Sequence, residues 1–152
     1  MNDTDIWYFA YGSNLNMGQM MTRIGEWLAS EKAVAKGYRL AFNVQSRRWG
    51  GLAANLVKTN NAGDIVYGVI YRIPKEKLAV LTQYEGVEPV DIEIEADGVR
   101  KKAKAYVFTT SKEPGRPPDT YLEVMLTGLR QHGYSEDVTA RVKILAECHQ
   151  QD

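Results

Sequence analysis

A single cysteine, Cys148, stands in this 152-residue sequence, so no disulfide can form within the chain and nothing in it calls for an oxidising compartment. Histidine is nearly as scarce: only His132 and His149 are present. With one thiol and two imidazoles, no ligand spacing resembles a zinc site, and no metal is expected. A Ser-His-Asp or Cys-His nucleophile finds little support either. His132 stands in QHGY at an expected helix end, where a cation suits the helix dipole. Cys148 has no evident neighbour except His149 to lower its pKa. Neither sign of charge is in excess, with Lys+Arg and Asp+Glu at 19 each. That balance argues against the general electrostatic footprint of nucleic-acid binding. No window approaches the ~18 apolar residues of a membrane helix. The opening MNDTDIWYFAYG shows neither the basic region nor the apolar run of a signal peptide. The expectation is a soluble, cytoplasmic protein with no nucleic-acid or membrane partner. Its oligomeric state, monomer or homodimer, is not written in the composition.

What is present fits one ordinary domain, residues 1–152, in which roughly 70% of the unfolded chain's surface can be buried. Residues 6–11 read as a strand, followed by the turn chemistry of Tyr11-Gly12-Ser13-Asn14. Residues 16–27 place Met17, Met20, Met21, Ile24 and Trp27 at helical offsets. Residues 32–44 read as one strand kinked at Gly37, 45–51 as a loop, and 52–57 and 65–73 as strands. Pro74 opens a helix that Gly86 stops. Residues 90–96 alternate, Asp97-Gly98 signals a hairpin, and 99–109 form its partner. A helix over 119–132 lines up Tyr121, Leu122, Met125, Leu126 and Leu129, and Ser135 caps a last helix carrying Val138, Val142 and Leu145. About five to six strands and three or four helices in irregular order predict an α+β fold with a mixed or mostly antiparallel sheet that can curl into a barrel. The βαβ alternation of a dinucleotide-binding fold is missing.

Two places carry possible chemistry. The Gly12-Ser13-Asn14 turn between a strand and a helix exposes backbone N–H groups beside a positive helix end, which suits a carboxylate or a developing oxyanion. Ser13 or Asn14 would serve equally well as a plain helix cap. Glu85, in LTQYEGV, ends a helix just before a glycine. The dipole there disfavours its charged form and raises its pKa, as a general acid/base requires. A solvated helix-end glutamate is the simpler reading of the same position.

Taken together, FAYGSNL, WGGLAANL, IVYGVIYRI, LTQYEGV and AYVFTTSKEPGRPPDTY, in this order over residues 7 to 145, resemble the γ-glutamylcyclotransferase family. The resemblance implies a small mixed β-barrel flanked by helices. It also implies a cofactor-independent enzyme that converts a small γ-glutamyl compound to 5-oxoproline and a free amine. It places the substrate-binding stretch on Tyr8, Phe9, Ala10, Tyr11, Gly12 and Ser13, the acid/base on Glu85, and a substrate-touching tyrosine on Tyr121. The loop of Gly50-Gly51 would border the pocket. Thr82 stands where the family often has an acidic residue, which leaves a supporting carboxylate in question. Arg47 and Arg48 either select an acidic leaving group or are simply solvated.

Three readings stay in competition. The enzyme could act on γ-glutamyl amino acids, on γ-glutamylamines or on γ-glutamyl-protected metabolites. The same fold could be a non-catalytic module binding a small molecule or peptide. Arg47-Arg48-Trp49, or the basic strand from Arg100 to Lys104 with Tyr106 and Phe108, could stack bases, against the simpler reading of an edge strand blunted by lysines.

Overall fold

The computed structural model describes residues 4–110 and 112–148. The expected Cys148-His149 pair lies partly outside these residues. The first strand, β1 (Asp5–Ala10), buries Tyr8, Phe9 and Ala10 in succession. Such a strand needs cover on both faces and partners on both edges. It finds them in β5 (Ile65–Pro74), antiparallel, and β7 (Val99–Ala105), parallel. β2 (Ala29–Lys36) joins β5 on its other side, and β6 (Val90–Ala96) closes the ring between β2 and β7. The result is a closed, mixed barrel in the order β1-β5-β2-β6-β7. Asp97 and Gly98 turn the β6–β7 hairpin with φ of 52° and 74°, the left-handed pair that a tight two-residue hairpin requires.

The expected single strand over 32–44 is in fact two. β2 ends at Lys36 in the barrel, and β3 (Tyr38–Ser46) starts a separate two-stranded sheet with β4 (Gly51–Lys58). Gly37, at φ 82°, is the corner between them. Its N–H bonds to the Asp64 carbonyl and its carbonyl accepts from Thr59 N–H, so the corner is held on both sides. β3 also runs two residues into the expected loop. A bulge at Asn43 interrupts its pairing between Phe42 and Val44. The buried Asn43 accepts from Asn55 Nδ2 at 3.1 Å. Asn55 in turn pairs with both the N–H and the carbonyl of Phe108, each at 2.9 Å. This draws the chain after β7 over to the hairpin, which is why β7 stops at Ala105 rather than running to 109.

The helices lie outside the barrel. α1 (Met17–Ile24) is shorter than its periodicity suggests, because it stops before Gly25; Trp27 lies beyond it and packs edge-on against Tyr71 at 4.9 Å. α2 (Lys75–Glu85) starts directly after β5 and ends at Gly86 in a left-handed cap, φ 79°. α3 (Asp119–Gln131) buries the expected face of Tyr121, Leu122, Met125, Leu126 and Leu129, and α4 (Glu136–Cys148) packs beside it. Among the described residues, no helix is long and apolar enough to cross a membrane. The basic strand β7 is ion-paired rather than bare: Lys101 meets Glu31 at 3.1 Å and Lys104 meets Asp91 at 2.8 Å.

Candidate active site

β1 ends in the segment Tyr11-Gly12, which leads into a single 3-10 turn over Ser13–Leu15. The helix cap at this point is Asn16, whose side chain accepts from Gln19 N–H at 3.1 Å. Ser13 and Asn14 are therefore released from capping, and both are buried. The turn is packed hard from behind. A Cβ on Gly128 of α3 would lie 2.4 Å from the Leu15 carbonyl carbon and 2.5 Å from Asn16 N, so only glycine lets the helix seat there. Tyr71 of β5 donates to the Asn14 carbonyl at 2.9 Å. His132 Nε2 lies 3.0 Å from both the Leu15 carbonyl and the Tyr71 hydroxyl. A carbonyl only accepts, so Nε2 carries the proton. Burial lowers the His132 pKa, which makes it a neutral brace for the turn and not the helix-end cation expected from the sequence.

In front of the turn opens a cavity of about 290 Å³. Its floor is Tyr8, Tyr11, Gly12, Ser13 and Asn14; Arg23 of α1, Glu85 of α2 and Tyr121 of α3 close its sides. The β3–β4 loop, with Arg47, Arg48 and Trp49, forms its rim, and Tyr106 and Phe108 enter after β7. Of the site residues anticipated from the sequence, Glu85, Tyr8, Tyr11, Gly12, Ser13 and Tyr121 meet here. Phe9 and Ala10 do not line the cavity. Phe9 points to the opposite face of β1, as alternation dictates, and Ala10 is packed into the core. Gly50 and Gly51 are also outside it; a Cβ on Gly51 would lie 2.7 Å from the Pro118 ring.

Asn14 is the hub of the site, and its role could not be read from one sequence. Its Oδ1 accepts from Gln19 Nε2 at 3.0 Å and from Arg23 at 3.1 Å. Arginine only donates, so the amide orientation is settled, and Nδ2 faces Tyr8 Oη at 2.9 Å and Glu85 Oε2 at 3.4 Å. Gln19 also reaches the Ser13 hydroxyl. Arg23, whose side chain is 7% exposed, lies 3.4 Å from Glu85 Oε2. Burial raises the Glu85 pKa, and Arg23 and Arg48 act against it without cancelling it. Burial likewise lowers the Arg23 pKa, so desolvation outweighs attraction for both partners. The direction at Glu85 matches the expectation, but its main cause is burial rather than the helix dipole.

Burial raises the pKa of four phenols that line the cavity, Tyr8, Tyr11, Tyr106 and Tyr121, that of Tyr106 to about 12, so each of these is neutral at physiological pH. Two are tied down. Tyr11 donates to the Tyr106 carbonyl, and Tyr106 donates to the Leu78 carbonyl at 3.1 Å and meets Thr82 Oγ1 at 2.9 Å. Thr82, which replaces the acidic residue of the resemblance, thus anchors a tyrosine. The other two phenols only accept. Tyr8 takes the Asn14 amide. Tyr121 takes Ala54 N–H at 3.0 Å. Their own O–H groups remain donors toward the cavity. Ser13, whose amide is the anticipated oxyanion donor, lines the cavity together with Tyr121. Gly12 permits this arrangement, since a Cβ there would lie 2.7 Å from Tyr121 Oη. Among the described residues, no three His, Cys, Asp or Glu side chains come together as a metal site would need.

The family model described as "Gamma-glutamyl cyclotransferase, AIG2-like" matches residues 8–123. A mouse protein named gamma-glutamylcyclotransferase is 30% identical over 148 residues, covering 91% of this chain and 77% of its own length. A solved structure titled gamma-glutamyl cyclotransferase superposes with a TM-score of 0.83 over 91% of this chain and 86% of that one, at 23% identity. The structure of YkqA from Bacillus subtilis gives a TM-score of 0.80 at 25% identity, covering 99% of this chain and 57% of that one. The cavity residues, the barrel and the matched segment coincide, and the chain belongs to the γ-glutamyl cyclotransferase, AIG2-like family.

Proposed function

We propose that the protein releases 5-oxoproline from a γ-glutamyl amino acid or amine by attack of the substrate's α-amine on its own γ-carbonyl carbon. The observation that carries this reading is the meeting of Glu85 with the YGSN turn in one cavity, through Asn14. A free α-amine is substantially protonated at neutral pH. Glu85 takes that proton, and its raised pKa brings it closer to neutrality than an ordinary carboxylate. The amine nitrogen then bonds to the γ-carbon and closes a five-membered ring. Negative charge develops on the former carbonyl oxygen. Neutral donors aimed at such an oxygen are worth about 3–4 kcal/mol each in comparable acyl-transfer sites. Tyr121 and Tyr8 are the donors available here. Collapse of the adduct breaks the original C–N bond; Glu85 returns its proton to the departing nitrogen, and the ring nitrogen gives up its remaining extra proton to solvent, leaving the neutral lactam and the free amine. One carboxyl serves both steps, in keeping with Glu85 being the single carboxylate that lines the cavity among the described residues. The cavity walls also hold the substrate folded, which removes part of the entropic barrier.

The test is 5-oxoproline release from a panel of γ-glutamyl amino acids and γ-glutamylamines, for the wild type and Glu85→Gln. Glutamine keeps the size and the hydrogen bond from Asn14 but accepts no proton. The expected result is turnover by the wild type and a loss of at least about 100-fold in the variant. Retained activity in Glu85→Gln sinks the mechanism. Saturable binding with no turnover by the wild type would instead mark a binding module.

A further inference from the structure

We propose that Arg47 and Arg48 select the leaving group, and that the preferred substrates are γ-glutamyl compounds whose leaving amine is an acidic amino acid. This rests on the cyclotransferase reading of the same cavity and goes one step further, to its substrate class.

The argument is one of charge. A γ-glutamyl group carries one α-ammonium and one α-carboxylate and is neutral as a unit. The cavity that would receive it is lined by three arginines and one glutamate. Arg23 is matched, since it lies deep beside Glu85. Arg47 and Arg48 are left, both exposed on the β3–β4 rim, and neither lies within ion-pair distance of a carboxylate among the described residues. Arg48 is not loose. Its guanidinium lies 5.0 Å from the Tyr84 ring centroid, and Arg23 lies 4.6 Å from the same ring. A second groove adjoins the cavity at Arg23, Arg48, Trp49 and Tyr84 and, among the described residues, is lined by no carboxylate. A leaving group that extends from Glu85 toward the rim therefore meets cations, aromatic rings and neutral side chains such as Gln45, Ser46 and Gln19, and, among the described residues, no second carboxylate. An alkylamine answers neither arginine. A neutral amino acid answers one with its α-carboxylate. An acidic amino acid answers both, and arginine pairs with carboxylates in a bidentate geometry.

Rim contacts are solvent-screened, so each is worth up to about fivefold in kcat/KM. The experiment compares kcat/KM for γ-glutamyl-glutamate, γ-glutamyl-alanine and γ-glutamyl-butylamide, in the wild type, Arg47→Gln, Arg48→Gln and the double variant. The ratio between substrates is the readout. Arg48 also influences Glu85, and that influence cancels because every substrate uses the same base. The wild type is expected to rank glutamate over alanine over butylamide, with about tenfold or more between the ends. The double variant is expected to compress that range to about twofold, mainly through KM, and added salt to compress it in the wild type. Residual butylamide turnover reports that the variants are folded. Equal kcat/KM values in the wild type, or a ranking that survives both substitutions, overturn this proposal and leave the cyclotransferase reading standing. Release of 5-oxoproline from none of the three overturns both.

Discussion

Asn14 Nδ2 lies 3.4 Å from Glu85 Oε2, while Asn14 Oδ1 holds Arg23 at 3.1 Å. The same amide thus orients the carboxylate and the guanidinium that balances it. Asn14→Asp would set a second negative charge against Glu85 and raise its pKa further. Asn14→Ala would leave Arg23 and Tyr8 without that partner.

In the proposed mechanism the acid limb of the pH profile follows Glu85, whose pKa burial raises and Arg23 holds down in part. As the proposed base, Glu85 must be unprotonated to accept a proton, so activity is expected to fall as pH drops through its raised pKa. Arg23 lowers that pKa, and Arg23→Gln removes the effect. The acid limb of kcat/KM is expected to move to higher pH in the variant. An unmoved or acid-shifted limb would mean that another group controls the profile.

Gly128→Ala tests the seating of α3 on the turn. In an exposed helix this change stabilises by about 1 kcal/mol. Here the new methyl meets Leu15 and Asn16 backbone atoms, which cannot swing away. The expected outcome is a loss of about 1–3 kcal/mol, which is a drop of several degrees in Tm for a domain of this size, with reduced activity as the turn shifts. A raised Tm would show that the helix moves freely.

Tyr121→Phe separates packing from hydrogen bonding. The ring keeps its edge contacts with Trp49 at 5.2 Å and Phe42 at 6.5 Å. The buried Ala54 N–H loses its acceptor, at a cost of about 1–3 kcal/mol. If the phenol also donates to the substrate, kcat falls by more than KM rises. Lower stability with unchanged kcat would confine Tyr121 to a structural role.

His132 gives stability a pH dependence of known sign. Its folded-state pKa lies below the ordinary 6.5, so the unfolded chain binds more protons in the window between the two values. Its contribution is fully present above pH 6.5 and is lost as pH falls through the folded pKa. Glu85 works in the opposite direction. Its pKa is raised above 4.5, so its contribution is present at low pH and is lost as pH rises through the folded value. His132→Gln is expected to flatten the acid side of a Tm-versus-pH curve, and Glu85→Gln the rise on going from neutral to mildly acidic pH. Curves parallel to the wild type would contradict both assignments.

The local pieces are legible within short stretches of the chain. The aromatic strand before YGSN, the helix ending in Glu85-Gly86, the Asp97-Gly98 hairpin and the buried face of α3 each follow from periodicity or turn chemistry within a dozen residues. Where pattern and structure part, tertiary packing is the cause: the chain leaves the barrel at Gly37, α1 stops before Gly25, and β7 ends at Ala105 because Asn55 draws Phe108 away. Only the tertiary structure decided which polar groups meet. Asn14 and Glu85 are 71 positions apart, and Arg23 and Glu85 are 62 apart. Their contact depends on the β1–β5 pairing and on the packing of α2 against α1 and β1, which set α2 beside the turn. The raised Glu85 pKa has the same origin, because burial is a property of the packed site and not of any stretch of sequence. Capping shows the limit most plainly. Ser13, Asn14 and Asn16 are all good caps by residue type, and the packing of Gly128, Tyr71 and His132 against the turn settles that Asn16 caps while Asn14 faces the cavity.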